Sequence, residues 1–204
     1  MTITIIIISV AVSAFAIINQ ELSQKLRFNA YAIKHSKEWY RFFTYALIHA
    51  DWIHLLVNMF VLYSFGKAVE NYFSIVFPGK AAFYYIILYI GGIVVSVAPS
   101  YNKNKDNIYY NAVGASGAVS AVVFSSIIFH PTGGIRFFFI PFSIPSVIFG
   151  ILYLIYSAYM AKRSRDNIGH DAHFWGAIFG VVYTIILKPK LLLLFFEQIR
   201  QYFI

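Results

Sequence analysis

The chain has 204 residues, of which 60% are hydrophobic, 20% aromatic and only 12% charged. A water-soluble globule of this composition would expose more apolar surface than solubility allows, so the composition indicates a membrane protein and excludes polar disorder. The formal net charge of +8 indicates loops that face lipid headgroups rather than a nucleic-acid-binding surface. The absence of cysteine excludes disulfides, a thiolate nucleophile and a cysteine-ligated zinc.

Six apolar segments approach the length of about 20 residues that a helix needs to cross a bilayer. They are separated by short segments rich in Pro, Gly and Lys. The sequence therefore predicts an all-α membrane protein with six transmembrane helices in one domain, residues 1–204. The predicted spans are residues 1–18, 52–72, 81–98, 111–129, 142–160 and 168–187.

The segments outside these spans carry their own signals. A signal peptide would have a basic start and a small-residue cleavage site, and no Lys or Arg precedes Lys25, so we expect residues 1–18 to be a retained helix. Residues 19–50 mix basic and aromatic side chains, which is typical of an interfacial, partly helical loop. We expect residues 191–204 to lie on the membrane surface rather than to continue the sixth helix.

Polar side chains inside three of the spans are costly in a bilayer and therefore need a partner or a function. His54 and Asn58 lie one turn apart in the second span, Ser116 lies early in the fourth, and His173 lies early in the sixth. These spans run in the same direction across the membrane. His54, Ser116 and His173 should therefore lie within about 10 Å of one membrane face.

A hydroxyl and an imidazole at one depth can act as nucleophile and general base if their helices touch. Small residues permit such close helix packing: Gly114 and Gly117 in the fourth span, and Gly176 and Gly180 in the sixth. The backbone N–H groups near Ser116 would lie at a helix N-terminus, which favours an anion. Together with donors from His54 and Asn58, they predict an oxyanion hole.

These residues resemble the motifs of the rhomboid family of intramembrane serine proteases. The resemblance extends over about residues 38–187 and consists of three segments in chain order. Gly114-Ala115-Ser116-Gly117 matches the family's G-x-S-G, Ala172-His173 with Gly176 and Gly180 matches A-H-x-x-G-x-x-x-G, and His49, His54 and Asn58 match H-x-x-x-x-H-x-x-x-N. The resemblance implies that Ser116 is the nucleophile, that His173 is the base and that His54 and Asn58 hold the oxyanion.

Further positions agree with the family or depart from it. Gly66 and Glu70 stand where the family carries a glycine and a buried glutamate, and Tyr40-Arg41 stand where many members have Trp-Arg. The resemblance favours Arg41 as a loop anchor over a snorkelling surface residue. Ser120 departs from the pattern, because many members have at this position an aromatic residue on which the base packs.

The resemblance implies a serine endopeptidase that cleaves in or near the transmembrane helix of another membrane protein, through an acyl-enzyme and without a cofactor or metal. Its partners would be transmembrane substrates and the lipid bilayer. The resemblance also implies a bacterial cytoplasmic membrane with the active site outside. Against this orientation, ten basic residues in loops one, three and five outnumber six on the other side, which favours a cytoplasmic catalytic face.

Several alternatives remain open at this level. A G-x-S-G segment alone arises in roughly one of twenty shuffled chains of this composition, and a single polar residue in a span is often a packing contact. An inactive, rhomboid-like chaperone that binds membrane helices is the second hypothesis, and a metal site built from His49, His54, His170 and His173 is the third. We expect Asp171 to be a helix-start acid rather than a triad acid, and His170 to face the membrane interface.

Overall fold

The computed structural model describes residues 1–136, 141–163 and 169–203, and this part of the chain is mainly helical. Two strands of two residues each, β1 (Gly134–Ile135) and β2 (Ile144–Pro145), pair in antiparallel register. A 3-10 turn occupies Tyr45–Leu47. The helices are α1 (Thr2–Ile18), α2 (Gln20–Leu26), α3 (Ala30–Ser36), α4 (Arg41–Thr44), α5 (Trp52–Val76), α6 (Ala81–Asn104), α7 (Ser116–Phe129), α8 (Ser146–Arg163), α9 (His170–Leu187) and α10 (Lys190–Phe203).

Each predicted span overlaps one of the long helices, but several predicted ends are wrong: α5 ends four residues later than predicted, α8 is shifted by three to four residues, and the largest differences are in α6 and α7. Helix α6 continues through Pro99 to Asn104, because hydropathy marks where apolar residues stop and not where helical hydrogen bonds stop. Helix α7 begins only at Ser116, five residues later than predicted, since the preceding residues are extended and pair with the first loop. Residues 168 and 204, at the edges of the predicted sixth span and tail, lie outside the described residues.

Length and apolar composition alone identify fewer spans than six among the described residues. Helices α5 and α6 are long and apolar enough to cross a membrane, and α9 with α10 would be a third if that bent pair counted as one span. Helices α1 and α7 are apolar but shorter. The six-span bundle is therefore not established by helix length, although α7 is shielded by other helices and is buried continuously from Gly117 to Ile128.

Helix α10 does not continue α9, because the chain bends by 111° at the break between them. Pro189 lies in this break. The Gln198 side chain donates a hydrogen bond of 3.2 Å to the Phe129 carbonyl at the end of α7. Helix α10 thus crosses the C-terminal end of α7, while its position on a membrane surface stays a prediction.

Helix α7 is the central element, and α5, α6 and α9 pack around it. The α7–α9 contact is the tightest because both helices are narrow. A Cβ added at Gly176 would overlap the carbonyl oxygen of Gly117, and one added at Gly180 would overlap that of Ala121. The two contacts are four residues apart on each helix and follow the same order along both, so the two helices are parallel and in register.

The N-terminal half of α1 is fixed at the far end of α5. Thr2 donates its N–H to the Glu70 carboxylate at 2.7 Å, and its hydroxyl lies 2.8 Å from the Tyr85 hydroxyl. A Cβ at Gly66 would overlap both Thr2 and Tyr85. Glu70 lies 16 residues after His54, or about 24 Å along the helix, so its role is to hold α1 and not to build the site.

The first loop, residues 19–50, is partly helical as predicted, but it also contributes to the core. Its most deeply buried side chains are apolar: Phe28, Ala30, Ile33, Ala46 and Ile48. Composition predicts an interfacial loop because basic and aromatic residues alternate along it. In the folded chain Phe28 packs against Tyr110, before α7, and Phe42 packs against Tyr101 of α6. Three other aromatic residues of the loop stay exposed: Trp39, Tyr40 and Phe43.

The α7–α9 packing gives a direct prediction. We expect Gly176→Ala to lower the free energy of unfolding by about 1–3 kcal/mol, because the added methyl group overpacks the helix contact. Gly169→Ala is the matched control, since a Cβ there would meet only the Ala172 side chain at an ordinary 3.7 Å. Thermal unfolding of the detergent-solubilised protein, followed by tryptophan fluorescence, measures both; equal stabilities would contradict the close contact.

Candidate active site

The conformation of the segment before α7 requires a glycine at position 114. Gly114 has a φ of +112°, a conformation that L-residues with a Cβ rarely adopt. A Cβ at this position would also stand 2.7 Å from Cε1 and 2.8 Å from Nε2 of His54. Glycine therefore lets the chain turn into α7 and lets the His54 ring lie directly against that turn.

The first loop holds this segment through backbone hydrogen bonds. Phe28 and Ala112 exchange two N–H to carbonyl bonds of 2.9 and 3.0 Å, and Gly114 donates its N–H to the Tyr45 carbonyl at 3.0 Å. Non-helical backbone at membrane depth must find such partners within the protein. The first loop therefore holds the segment that leads into Ser116, in part through an antiparallel β-bridge between Phe28 and Ala112.

His49 completes this support with both of its ring nitrogens. Nε2 lies 3.4 Å from the Ala115 N–H, and Nδ1 lies 2.9 Å from the Ser13 hydroxyl, which in turn donates to the Leu47 carbonyl at 2.8 Å. One neutral tautomer satisfies every bond, with Nδ1 donating and Nε2 accepting. Burial lowers the pKa of His49 to about 4, and the neighbouring His54 adds to this effect.

Ser116 is the first residue of α7, where the sequence predicted a helix N-terminus. No described side chain caps this helix, and its N-cap residue is Ala115. The first N–H groups of a helix have no acceptor within the helix, and the positive end of the dipole lies beside them. The surroundings of Ser116 can therefore stabilise an anion.

His173 lies one turn before Gly176 in α9. Because Gly176 packs on Gly117 in a parallel, in-register helix pair, His173 is level with Gly114, about 3 Å along the helix axis from Ser116. The carbonyl oxygen of Ala172 would stand 3.3 Å from a Cβ at Gly117, which confirms that the two helix starts adjoin. Ser116 and His173 thus come from neighbouring helices at one depth.

His54 and Asn58 lie on the face of α5 that meets this region. Asn58 is buried and donates one amide N–H to the His54 carbonyl at 2.9 Å, and its amide has a second N–H. The Ala50 N–H lies 3.5 Å from His54 Nδ1, a long contact that favours Nδ1 as the acceptor. In that tautomer Nε2 carries the proton and borders Gly114.

Two polar side chains that the sequence analysis did not select also contact this region. The Tyr45 hydroxyl donates to the Ile93 carbonyl at 2.7 Å and lies 3.0 Å from the Ser96 hydroxyl. Ser96 in turn lies against Gly117, where a Cβ would overlap its side chain. A small polar residue in α6 gives no pattern by itself, so only the fold reveals this contact.

Arg41 is an anchor of the first loop and not a snorkelling surface residue. Its guanidinium is buried and donates from Nη1 to the carbonyls of Gln24 and Arg27, each at 2.8 Å. Nε donates to the Glu38 carboxylate, and this bond lowers the pKa of Glu38. Three parts of the loop are thereby joined by one side chain.

The remaining candidates of α9 are placed differently from one another. Asp171 lies in the first turn of α9, as predicted, and lines a cavity of about 510 Å³ together with Lys103 and Lys162. His170 is buried, which contradicts the expected interfacial position, and its ring centroid lies 6.0 Å from that of His173. Burial follows because this residue opens the helix against Tyr156.

The metal hypothesis has limited support in the geometry. The His49 and His54 rings are 5.0 Å apart in the first loop and α5, and the other two histidines form a separate pair on α9. Within residues 1–136, 141–163 and 169–203, no group of three or more His, Asp or Glu side chains is arranged to hold a metal ion.

Comparison with known proteins identifies the family to which this arrangement belongs. The family model described as the Rhomboid domain matches residues 36–190, which includes the first-loop anchor, the glycine turn and both narrow helices. The chain belongs to the rhomboid family. Rhomboid membership and the apolar helices show an integral membrane protein.

Three relatives show how far the similarity extends. The chloroplastic Rhomboid-like protein 11 of Arabidopsis thaliana is 32% identical over 74% of this chain, and the mitochondrial RHOMBOID-like protein 12 of the same plant is 30% identical over 66%. The matches span 53% and 42% of these two proteins. YdcA of Bacillus subtilis, named as a candidate rhomboid protease, is 27% identical over 75% of this chain and 69% of its own.

These relatives come from two organelles and a bacterium, so they do not support a bacterial membrane over an organellar one. The expected bacterial location is therefore not supported. Because the matches span about half the length of the two plant proteins, the activity and partners of a whole rhomboid remain proposals for this chain.

The His49 geometry predicts how this rhomboid responds to acid. Between pH 6.5 and 4, the unfolded chain binds a proton at this imidazole and the folded chain does not. Lowering the pH through this range should therefore remove a stabilising contribution of about 3 kcal/mol. We expect the difference in unfolding free energy between wild type and His49→Phe to shrink as the pH falls from 6.5 to 4.

Thermal unfolding at several pH values measures this difference. His130→Phe is the control, because this histidine is exposed after the end of α7 and has no place in the bonds before that helix. A wild-type advantage over His49→Phe that stayed constant across the range would show that His49 titrates like a solvent-exposed histidine.

Proposed function

We propose that this rhomboid is an intramembrane serine protease in a six-span bundle, with Ser116 as nucleophile and His173 as general base. The observation that carries the proposal is the glycine-mediated, in-register packing of α7 and α9, which brings the first turns of both helices to one depth. Proximity of this kind is what allows a weakly acidic hydroxyl to be deprotonated by a neutral imidazole.

In the proposed reaction, His173 accepts the proton of Ser116 as the serine oxygen attacks a peptide carbonyl. The tetrahedral intermediate collapses when His173 donates that proton to the leaving amine, which leaves an acyl-enzyme on Ser116. His173 then removes a proton from water, and the resulting hydroxide adds to the acyl carbonyl. The bond from that carbon to the Ser116 oxygen breaks, His173 returns its proton to the serine oxygen, and the carboxylic acid product leaves. Each proton that the imidazole accepts is returned, so the enzyme regains its starting state.

The proposed oxyanion hole has three contributors. The N–H of the Ser116 region lies at the start of α7, His54 borders Gly114, and Asn58 lies one turn further along α5. All are donors that are fixed before the reaction begins, which is the condition under which they stabilise developing charge most effectively. Gly114 and the first loop hold the turn that aims them.

The proposed substrate is a peptide bond in or near the transmembrane helix of another membrane protein. Since α7 is short and its start is enclosed by the first loop, the site is set back from the end of the bundle. A helical substrate would have to unwind locally, because a helix hydrogen-bonds and shields its own carbonyl groups. No cofactor takes part in this chemistry.

The nucleophile assignment is tested by Ser116→Ala. We expect this variant to lose labelling by a fluorophosphonate probe and cleavage of a model single-span substrate, while its unfolding temperature stays close to that of wild type. Ser126→Ala is the matched control, in the same helix about 15 Å further on. Cleavage retained in Ser116→Ala would exclude this nucleophile, whereas unlabelled, uncleaving wild type would favour the helix-binding chaperone.

The oxyanion role is tested by Asn58→Ala. We expect kcat to fall by about 10²- to 10³-fold, because a donor to the intermediate is lost, while labelling of Ser116 persists. Asn71→Ala controls for the loss of an amide from α5, since Asn71 is exposed at the opposite end of this helix. Substrate kinetics in detergent micelles measure both variants, and an unchanged kcat would remove Asn58 from the oxyanion hole.

A further inference from the structure

A tyrosine from the peripheral helix α8 lies against the proposed base. The ring centroids of Tyr153 and His173 are 6.2 Å apart, and the ring planes differ by 28°. This separation and tilt correspond to offset stacking of two aromatic rings. The contact is made on α9 one turn before the Gly176 contact with α7, at the level of the proposed dyad.

The Tyr153 ring is itself held in place from α7. Its hydroxyl lies 2.6 Å from the hydroxyl of Ser120, which is one turn beyond Ser116 on the same helix. Phe124 and Phe149 enclose the ring, at centroid distances of 5.6 and 5.7 Å. One side chain of α8 therefore joins the helix of the nucleophile to the ring of the base.

We propose that Tyr153 is the positioning residue for His173, with Ser120 as its tether; this inference rests on the proposed protease function. A general base must keep its ring plane and its nitrogen directed at the hydroxyl, and an imidazole rotates freely unless a neighbour restrains it. The stacked Tyr153 ring restrains that rotation. The hydrogen bond to Ser120 fixes the position of the Tyr153 ring, and the Tyr153 ring in turn fixes the orientation of the His173 ring.

This arrangement gives a reason for the serine at position 120. The chain places a small hydroxyl residue on α7 and supplies the aromatic ring from α8 instead. Helix α8 buries few of its residues, namely Ser146, Gly150 and Ser157. The orientation of the base therefore depends on a helix that is bound mainly through its contacts with α9 and α7.

Four variants separate the ring from its tether. Tyr153→Leu removes both the stacking and the hydroxyl, Tyr153→Phe keeps the ring, and Ser120→Ala keeps the tyrosine but loses the tether. The double variant Tyr153→Leu with Ser120→Tyr returns an aromatic ring to the same space from α7. Tyr159→Leu is the matched control on α8, because its ring contacts Arg163.

The readouts are the rate of fluorophosphonate labelling, kcat and KM for a single-span substrate, and the unfolding temperature. We expect Tyr153→Leu to lower kcat and the labelling rate about tenfold while KM is unchanged, because only the base is displaced. Tyr153→Phe and Ser120→Ala should lose less than Tyr153→Leu. The double variant should recover most of the lost rate, and Tyr159→Leu should match wild type.

The outcomes distinguish this inference from the function beneath it. If wild type itself neither labels nor cleaves, the protease proposal fails and the positioning role fails with it. If wild type is active and Tyr153→Leu labels at the same rate, the positioning role alone is overturned. A slower Tyr153→Leu whose unfolding temperature falls in parallel, with no recovery in the double variant, also overturns it by assigning the ring a purely structural role.

Discussion

The backbone contact between α7 and α9 is the constraint on which the site depends. Lipid supplies no hydrophobic force that drives one apolar helix against another, so close association relies on van der Waals packing of narrow surfaces. Gly176 and Gly180 provide such a surface against Gly117 and Ala121. Since both contacts keep one register, a single packing solution sets the relative depth of Ser116 and His173.

A second requirement follows from the irregular backbone before α7. Peptide groups there would be unsatisfied in lipid, and the first loop accepts and donates their hydrogen bonds through Phe28, Tyr45 and His49. His49 can serve both partners only as a neutral ring, which its burial favours. The loop is therefore structural support for the proposed catalytic turn, and Arg41 keeps the loop itself folded.

Sequence reasoning worked best where one local rule decides the outcome. Apolar runs located the long helices, the order of the spans placed Ser116 early in the fourth, and the small residues marked the two narrow faces that the structure packs together. It did less well where distant segments decide: α6 passes through Pro99, α7 starts late, and His170 is buried. The contact of Tyr153 with His173 could not be predicted, because a single aromatic residue in an apolar span carries no signal that separates it from the other aromatic residues there.

The sequence by itself determined that the protein belongs to the membrane class. It also identified the glycines that permit close helix contact and the polar residues whose burial in a bilayer requires a partner or a function. These follow from composition and from spacing along one helix. The tertiary structure alone decided which distant groups meet: the first loop beneath the turn at Gly114, Glu70 at the far end of α5, and the Tyr153 ring on His173. The physical reason is that partners separated by many residues share no periodicity, so their pairing emerges only when the helices pack.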